Sequence, residues 1–384
     1  MIQHDPLQAA RTLRPTILAV RKETENTRRL APSVVAGLID TGLCRLAVPA
    51  SLGGHEVDPV VALQVYEELA SAEASVAWIA WNNALPALLS HFLSDSVRAE
   101  LFHNPRYLFA NSTRPTGKAV VTNGGFRVSG QWSLVSGCEL ADWIVLANVV
   151  TEGHTPRLRA SGAPELRMAY VPKGSYRILD TWHVGGLRGT GSHDVVVDDV
   201  FVPMERTHLF ADVSQLDRPL YRMPFAAMMS SWCAAMCLGL AQTAIDTLLA
   251  LASSKVQADL GPGIRDRPEV QAKLASAIAA VDSARLFLHH VLGNLWSVSK
   301  QGTPATEQQR ARLWEAAIHA ARTAKSTVTA MYEAAATSSL YVDCPLERAH
   351  RDVHVIAQHM ILSHKWIEDS GRVRFGMKAT SPLF

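Results

Sequence analysis

Four histidines crowd the C-terminal region, His350, His354, His359 and His364, and their spacing decides what they can do. In a helix His350 and His354 share a face, but at roughly 100° per residue His359 falls about half a turn away from His350. That is no compact set of three ligands, and no metal site is expected. His359 instead follows Val355 and Ile356 at helical spacing and precedes Met360, which puts it on the apolar side. A buried imidazole is either a satisfied core residue or a group held for hydrogen bonding or proton transfer.

A second cluster lies in the Gly130–Cys138 segment, Gly-Gln-Trp-Ser-Leu-Val-Ser-Gly-Cys, where Trp132, Ser133 and Ser136 combine an aromatic ring with hydroxyls. A third is the glycine-rich run Gly185 to Ser192, which leads into an alternating strand ending at Pro203. Its backbone N–H groups could form an anion nest, or it is a bare turn. There is no Walker loop, no GxGxxG between strand and helix, and no serine-hydrolase elbow, since Gly189-Thr190-Gly191-Ser192 has the wrong order.

The elements that must position these residues follow from periodicity. Residues 5 to 110 read as helical: Leu30 to Leu46, Pro59 to Ala72 with Asp58 as N-cap, Ser75 to Phe92 with Pro86 expected to kink or interrupt it, and Asp95 to Phe102. Near Tyr107 the pattern changes to short strands. Asn123-Gly124-Gly125 marks a hairpin, Trp143 to Val150 is a continuous apolar strand, and Arg167 to Val171 and Val195 to Val202 complete a small barrel or sandwich, with His154 to Pro164 as an exposed loop. From Pro224 the helical period returns in four long segments, Ala227–Ser253, Pro268–Ser299, Thr306–Ser338 and Leu346–Ile367, separated by loops at Asp259–Arg267, Lys300–Pro304 and Thr337–Pro345, as in an antiparallel four-helix bundle. The expected units are 1–110, 111–218 and 219–384, an α+β chain that is mostly α.

With 48% hydrophobic residues and a formal net charge of +2, the chain can bury a large core and offers no electrostatic case for nucleic acid or membrane. Five scattered cysteines read as buried thiols of a reducing compartment, Cys233 and Cys237 as small core residues. No signal sequence opens the chain, and the uncharged stretch Met223 to Ile245, interrupted by Pro224, Ser230, Ser231, Gln242 and Thr243, reads as a buried helix. A cytoplasmic protein is expected.

The order helical, β, four-helix bundle resembles the acyl-CoA dehydrogenase fold over nearly the whole chain. The local matches are Val48-Pro49 to Gly53-Gly54, Asn123-Gly124-Gly125, Val200-Phe201-Val202-Pro203 and Val270 to Ala275. The chain is most similar to the oxygen-using branch, the two-component flavin-dependent monooxygenases, whose RD-x6-H pattern matches Arg351, Asp352 and His359. The resemblance implies that His359 faces the flavin pocket and deprotonates or orients substrate. It implies that Trp132 packs near the isoalloxazine ring and that Ser136 hydrogen-bonds its reactive edge. Ser133, Thr190, Ser192, Ser338 and Ser339 are the further cofactor-contacting residues. A second histidine of some members corresponds to Asn82 or Asn83, of which Asn83 is taken as the candidate.

The resemblance further implies reduced FMN supplied in trans by a separate NAD(P)H-dependent flavin reductase, because the chain has no nicotinamide motif. It implies O2, a flavin C4a-hydroperoxide in a water-poor pocket, and a homotetramer, while the nine tryptophans, Trp78 and Trp81 of the pocket-side N-terminal helix among them, suggest a small aromatic or heteroaromatic substrate of phenol or indole type. FMN is favoured over FAD because Ala336-Thr337-Ser338-Ser339 stands where FAD-binding members have Gly-Gly-x-Gly, and because the phosphate-binding arginine aligns near Gln257, with Lys255 close by. Two alternatives remain. One is an FAD-dependent acyl-CoA dehydrogenase, although no Glu-Gly-Thr element carries a base at residues 345–370. The other is a non-catalytic flavin-binding scaffold.

Overall fold

The structure is a computed structural model and describes residues 5–209, 214–254, 263–381 and 383–384. Lys255, Gln257 and part of the expected loop Asp259–Arg267 lie outside the described residues. Six helices open the chain: α1 (Pro6–Ala19), α2 (Arg21–Thr27), α3 (Pro32–Asp40), α4 (Pro59–Ala72), α5 (Ala74–Leu89) and α6 (Asp95–Phe102). Local chemistry explains their starts. Asp58 caps α4, its carboxylate accepting the Val60 N–H at 2.8 Å with Pro59 in the first turn. The segment expected as one helix from Leu30 to Leu46 is shorter, because Gly42 at φ 70° stops α3 and a 3-10 turn, Leu43–Arg45, follows.

Pro86 does not interrupt α5. It lacks an N–H and so frees the carbonyl of Asn82 four residues earlier, and the Asn111 side chain donates to that carbonyl at 3.0 Å. The neighbouring Asn83 is a second latch. Its Nδ2 donates to Ile79 O at 2.9 Å and its Oδ1 accepts the Phe109 N–H at 2.8 Å. Its Oδ1 thus joins helix to strand, while its Nδ2 bonds back within α5.

The strands are β1 (Phe109–Thr122), β2 (Gly125–Val135), β3 (Trp143–Glu152), β4 (Thr155–Pro156), β5 (Leu166–Pro172), β6 (Arg177–Leu179), β7 (His193–Pro203) and β8 (Thr207–Leu209). The Asn123-Gly124 turn joins β1 to β2 as expected, Gly124 taking φ 75°. The expected barrel or sandwich is formed by one eight-stranded sheet in the order β6-β7-β2-β1-β3-β5-β8, with β4 on β3, which wraps a small core of its own and whose ladder does not close among the described residues. β1 and β3 run parallel, the other pairs antiparallel.

Alternation along β3 and β5 shows why these strands read as continuous apolar runs. Val145, Ala147, Met168 and Tyr170 face the helical core, whereas Ile144, Leu146, Ala169 and Val171 face a smaller core shared with Phe126, Val128, Trp132 and Val195. Both faces are covered, so no polar side is needed.

After α7 (Pro219–Arg222) come α8 (Phe225–Ser254), α9 (Pro268–Lys300), α10 (Glu307–Ala334), α11 (Pro345–Ile356) and α12 (Lys365–Arg374). The stretch Phe225–Ser253 is long and apolar enough to span a membrane, but it is mostly buried here, packed against α4, α10 and α11. Gly239 permits that approach. A Cβ there would stand 2.3 Å from the Glu67 carbonyl oxygen of α4.

The expected fourth bundle helix, Leu346–Ile367, is broken in two. His359 adopts extended backbone (φ −65°, ψ 137°), and a 3-10 turn, Met360–Leu362, precedes α12. No glycine or proline causes the break. Neighbouring elements take up carbonyls of the broken segment instead: Ser230 donates to Ile361 O at 2.9 Å and Trp366 Nε1 to Met360 O at 2.8 Å, while the Trp366 ring stacks on Trp314 with centroids 4.1 Å apart.

Replacing Asn83 by alanine orphans the buried Phe109 N–H, a cost of about 1–3 kcal/mol. Denaturant unfolding of Asn83→Ala should show that loss, with the activity per folded molecule near wild type; lost activity at unchanged stability would return Asn83 to the reactive site.

Candidate active site

The site is built where α5 meets the break after α11. Trp78 and Trp81, three apart on α5, lie on one face with ring centroids 5.0 Å apart. The His359 ring stands nearly perpendicular to both, at 5.4 Å from Trp78 and 5.6 Å from Trp81, with interplanar angles of 77° and 89°. Such packing sets the positive edge of one ring against the negative face of the other. His359 Nδ1 accepts the Ile361 N–H at 3.3 Å. The proton of the neutral ring therefore resides on Nε2, which is a donor. Burial, and behind it the positive charge of Arg114, lower the His359 pKa to about 4. At neutral pH the ring is uncharged. Its position off the helix corrects the expectation that it sits on the apolar face of a long helix.

Beside it runs a chain of hydroxyls. Trp78 Nε1 donates to Ser136 Oγ at 2.9 Å, Ser136 and Ser192 are 2.7 Å apart, Ser192 and Thr190 are 2.7 Å apart, and Thr190 Oγ1 donates to Leu187 O at 2.8 Å. Only one proton arrangement serves all four bonds. Thr190 spends its proton on a carbonyl, so Ser192 donates to Thr190 and Ser136 to Ser192. Ser136 keeps one lone pair and no free proton. The loop geometry that makes this possible is unusual: Leu187 takes φ 51° and Gly191 φ 49°. Gly137 N donates to Thr190 O at 2.9 Å, which ties the end of β2 to the loop.

The structure thus brings together His359, Ser136, Thr190 and Ser192. Trp132 does not join them. It is fully buried in the smaller core, donates to Ala147 O at 2.8 Å, and leans on Gly117 so closely that a Cβ there would be 1.9 Å from its ring. These contacts make Trp132 an anchor of the sheet. The tryptophan that hydrogen-bonds Ser136 is Trp78, from α5 rather than from the Gly130–Cys138 segment. Ser133 is half-buried at the outer part of β2. Ser338 and Ser339 lie in the 3-10 segment Ala336–Leu340 after α10, where Ser339 Oγ donates to Ala336 O at 2.7 Å. His350 stacks on Tyr332 and His354 and has no part at the break. Among the described residues no three His, Cys, Asp or Glu side chains converge as a metal site would require.

Two indole rings, a neutral imidazole donor and a serine acceptor suit a flat heteroaromatic ring with a polar edge. The Ser136 lone pair fits a ring N–H, such as that of a reduced flavin.

The fold and this site define a flavoenzyme of acyl-CoA dehydrogenase architecture. Residues 8–103 match the family model of the acyl-CoA dehydrogenase N-terminal domain and residues 231–364 that of its C-terminal domain. Indole-3-acetate monooxygenase of Pseudomonas putida is 30% identical over 355 residues, 92% of this chain and 89% of that protein. The flavin-dependent monooxygenase oxygenase subunit HsaA of Rhodococcus jostii is 29% identical, covering 92% and 93%. The crystal structure of 3-HSA hydroxylase from Rhodococcus sp. RHA1 superposes with a TM-score of 0.90 at 28% identity over 99% of both chains. The chain belongs to the flavin-dependent monooxygenases of the acyl-CoA dehydrogenase fold.

Because His359 titrates at about 4 when folded and at 6.5 in its ordinary state, the unfolded chain holds more protons between these values. The contribution is fully present above 6.5 and is lost as pH falls toward 4. Urea unfolding at pH 7 and pH 5 should show a steeper loss for wild type than for His359→Gln. Equal losses would mean that burial does not keep the ring neutral.

Proposed function

We propose that this chain is the oxygenase component of a two-component monooxygenase that hydroxylates a small aromatic substrate of phenol or indole type. It would use O2 and reduced flavin delivered by a separate NAD(P)H-dependent reductase. The observation that carries this reading is the neutral His359 donor set nearly perpendicular to Trp78 and Trp81 beside the Ser136 acceptor. Relatives support it by name: an indole-3-acetate monooxygenase, an oxygenase subunit, and an FADH2-dependent resorcinol hydroxylase oxygenase component of Rhizobium sp., the last 28% identical. A solved structure of the same fold, dibenzothiophene monooxygenase from Paenibacillus, holds FMN and indole.

Bound reduced flavin supplies the electrons that let one atom of O2 enter the substrate while the other leaves as water. The residues do the rest. Ser136 offers its lone pair to a ring N–H, and Ser192 and Thr190 hold that lone pair in direction. The Trp78 and Trp81 rings exclude water and give an aromatic substrate a face to pack on. His359 Nε2–H orients a substrate oxygen or the incoming oxygen. With Nδ1 occupied and the pKa near 4, orientation fits this ring better than proton abstraction.

FMN is the proposed flavin, since Ala336 to Ser339 lacks the glycines for a close pyrophosphate approach, and FAD is the alternative. We assign Ser338 and Ser339 to a cofactor site completed by a second copy of the chain. Leu340, Tyr341 and Val342 beside them are 61%, 71% and 73% exposed, a patch suited to an assembly such as a homotetramer. Three units, 1–110, 111–218 and 219–384, and a cytoplasmic location complete the proposal.

The test is product analysis with a flavin reductase, NADH, FMN and a panel of phenols and indoles under 18O2. One labelled oxygen in the product is expected. No oxygenated product, or reduction of a tightly bound FAD by acyl-CoA, would overturn the reading. Ser136→Ala removes the hydrogen bond that the reading gives to the flavin, worth about 1.5–3 kcal/mol, and should shift the oxygen from product to hydrogen peroxide by roughly ten- to a hundredfold. His359→Ala should lower product yield with flavin binding kept.

A further inference from the structure

The hydroxyl chain ends on the carbonyl of Leu187, so whatever holds Leu187 holds Ser136. Leu187 has φ 51°, a strained conformation for a branched side chain. Two adjacent side chains of α11 grip the peptides around it. The Asp352 Oδ1 atom accepts the Leu187 N–H at 2.7 Å, and Arg351 Nη1 donates to the Gly185 carbonyl. Gly186 between them lies so close to α11 that a Cβ would stand 2.7 Å from the Arg351 carbonyl oxygen and 3.0 Å from Asp352 Oδ1. The Leu187 carbonyl in turn accepts from Thr190 Oγ1 at 2.8 Å and from Trp182 Nε1 at 3.2 Å.

The grip is itself braced. Arg351 makes a two-pronged pair with Glu347, at 2.6 and 2.9 Å, and reaches Glu25 of α2 at 3.0 Å. Arg348, one turn earlier, meets Glu73 at 3.2 Å, and Glu73 caps the helix that carries Trp78 and Trp81. The same segment of α11 therefore braces both ends of the path Leu187–Thr190–Ser192–Ser136–Trp78.

We propose that Asp352 is a positioning residue for the oxygenase reaction, fixing the Leu187 peptide so that the Thr190–Ser192–Ser136 chain presents the Ser136 lone pair to the flavin. This rests on the reading given under Proposed function. Asp352 touches neither Trp78 nor Ser136 and acts only through the loop. Burial, with the nearby Glu73 charge adding to it, raises the Asp352 pKa, and the Leu187 N–H and Arg351 oppose the rise. A group that works as a buried acceptor should be replaceable by a neutral amide with the same acceptor oxygen.

The experiment compares Asp352→Asn, Asp352→Ala and Gly186→Ala with wild type in two measurements. The first is amide hydrogen exchange over residues 185–192 without flavin, with α8 as the internal control. The second is anaerobic titration with reduced FMN. Asp352→Ala should speed exchange of the loop about tenfold or more and weaken reduced FMN binding about tenfold, with α8 unchanged. Asp352→Asn should stay within about threefold of wild type in both. Gly186→Ala keeps the carboxylate but wedges the loop away, and should resemble Asp352→Ala. Unchanged loop exchange in Asp352→Ala, or Asp352→Asn as impaired as Asp352→Ala, would overturn the proposal. If Asp352→Ala does not fold, Gly186→Ala and Asp352→Asn decide alone. Wild type that fails to bind reduced FMN would sink the functional reading instead, and the exchange measurement would still decide the grip on Leu187.

Discussion

The structure depends on a knot of partly buried charge along the first two turns and middle of α11. Arg348 and Arg351 bind Glu73, Glu25 and Glu347, while Asp352 accepts from the loop backbone. Charges taken out of water are costly unless each finds a partner. Here the partners come from α2, from the cap of α5 and from α11 itself, so the requirement to pair them sets how three remote parts of the chain meet. Apolar packing alone would let these elements slide; ion pairs of fixed geometry do not.

The helical core and the sheet solve a related problem by different means. α8 is apolar on nearly every side and would be a membrane candidate by composition, yet α4, α10 and α11 surround it, and Gly239 lets α4 approach to backbone contact. The sheet is apolar on both faces in its centre, with the helices on one side and its own smaller core on the other. Trp132 anchors that second core. The tryptophans available to the site come from the helix facing it.

The site derives its character from what surrounds each polar atom. His359 is neutral because burial and Arg114 disfavour its charge, and its Nδ1 is occupied by a backbone N–H. Ser136 is an acceptor because every proton in its chain is already committed, down to the Leu187 carbonyl. Neither property belongs to histidine or serine as residue types. The pKa of His359 and the proton order at Ser136 are set by neighbours distant in sequence, and the His359 tautomer by the nearby Ile361 N–H.

Periodicity and turn chemistry in the sequence were enough to order the elements: helices capped at Asp58, a hairpin at Asn123-Gly124, a two-sided apolar strand from Trp143, and long amphipathic segments after Pro224. Those signals are local, and local sterics and hydrogen bonds enforce them. The residues Ser136, Thr190, Ser192 and His359 were also legible as candidates, since hydroxyls near glycines and a histidine among apolar residues stand out. The sequence could not show that α11 stops at Ile356, because a carbonyl of the break is taken up by Ser230 of the remote α8, alongside the nearby Trp366. Nor could it show that Trp78 hydrogen-bonds Ser136, or that Asn83 latches helix to strand. Asp352 gripping Leu187 across the fold was equally hidden. The type and order of the elements rest on interactions between near neighbours, whereas the meeting of Trp78, Ser136 and Ser192, and the burial that keeps His359 neutral, rest on partners that only tertiary packing brings within reach.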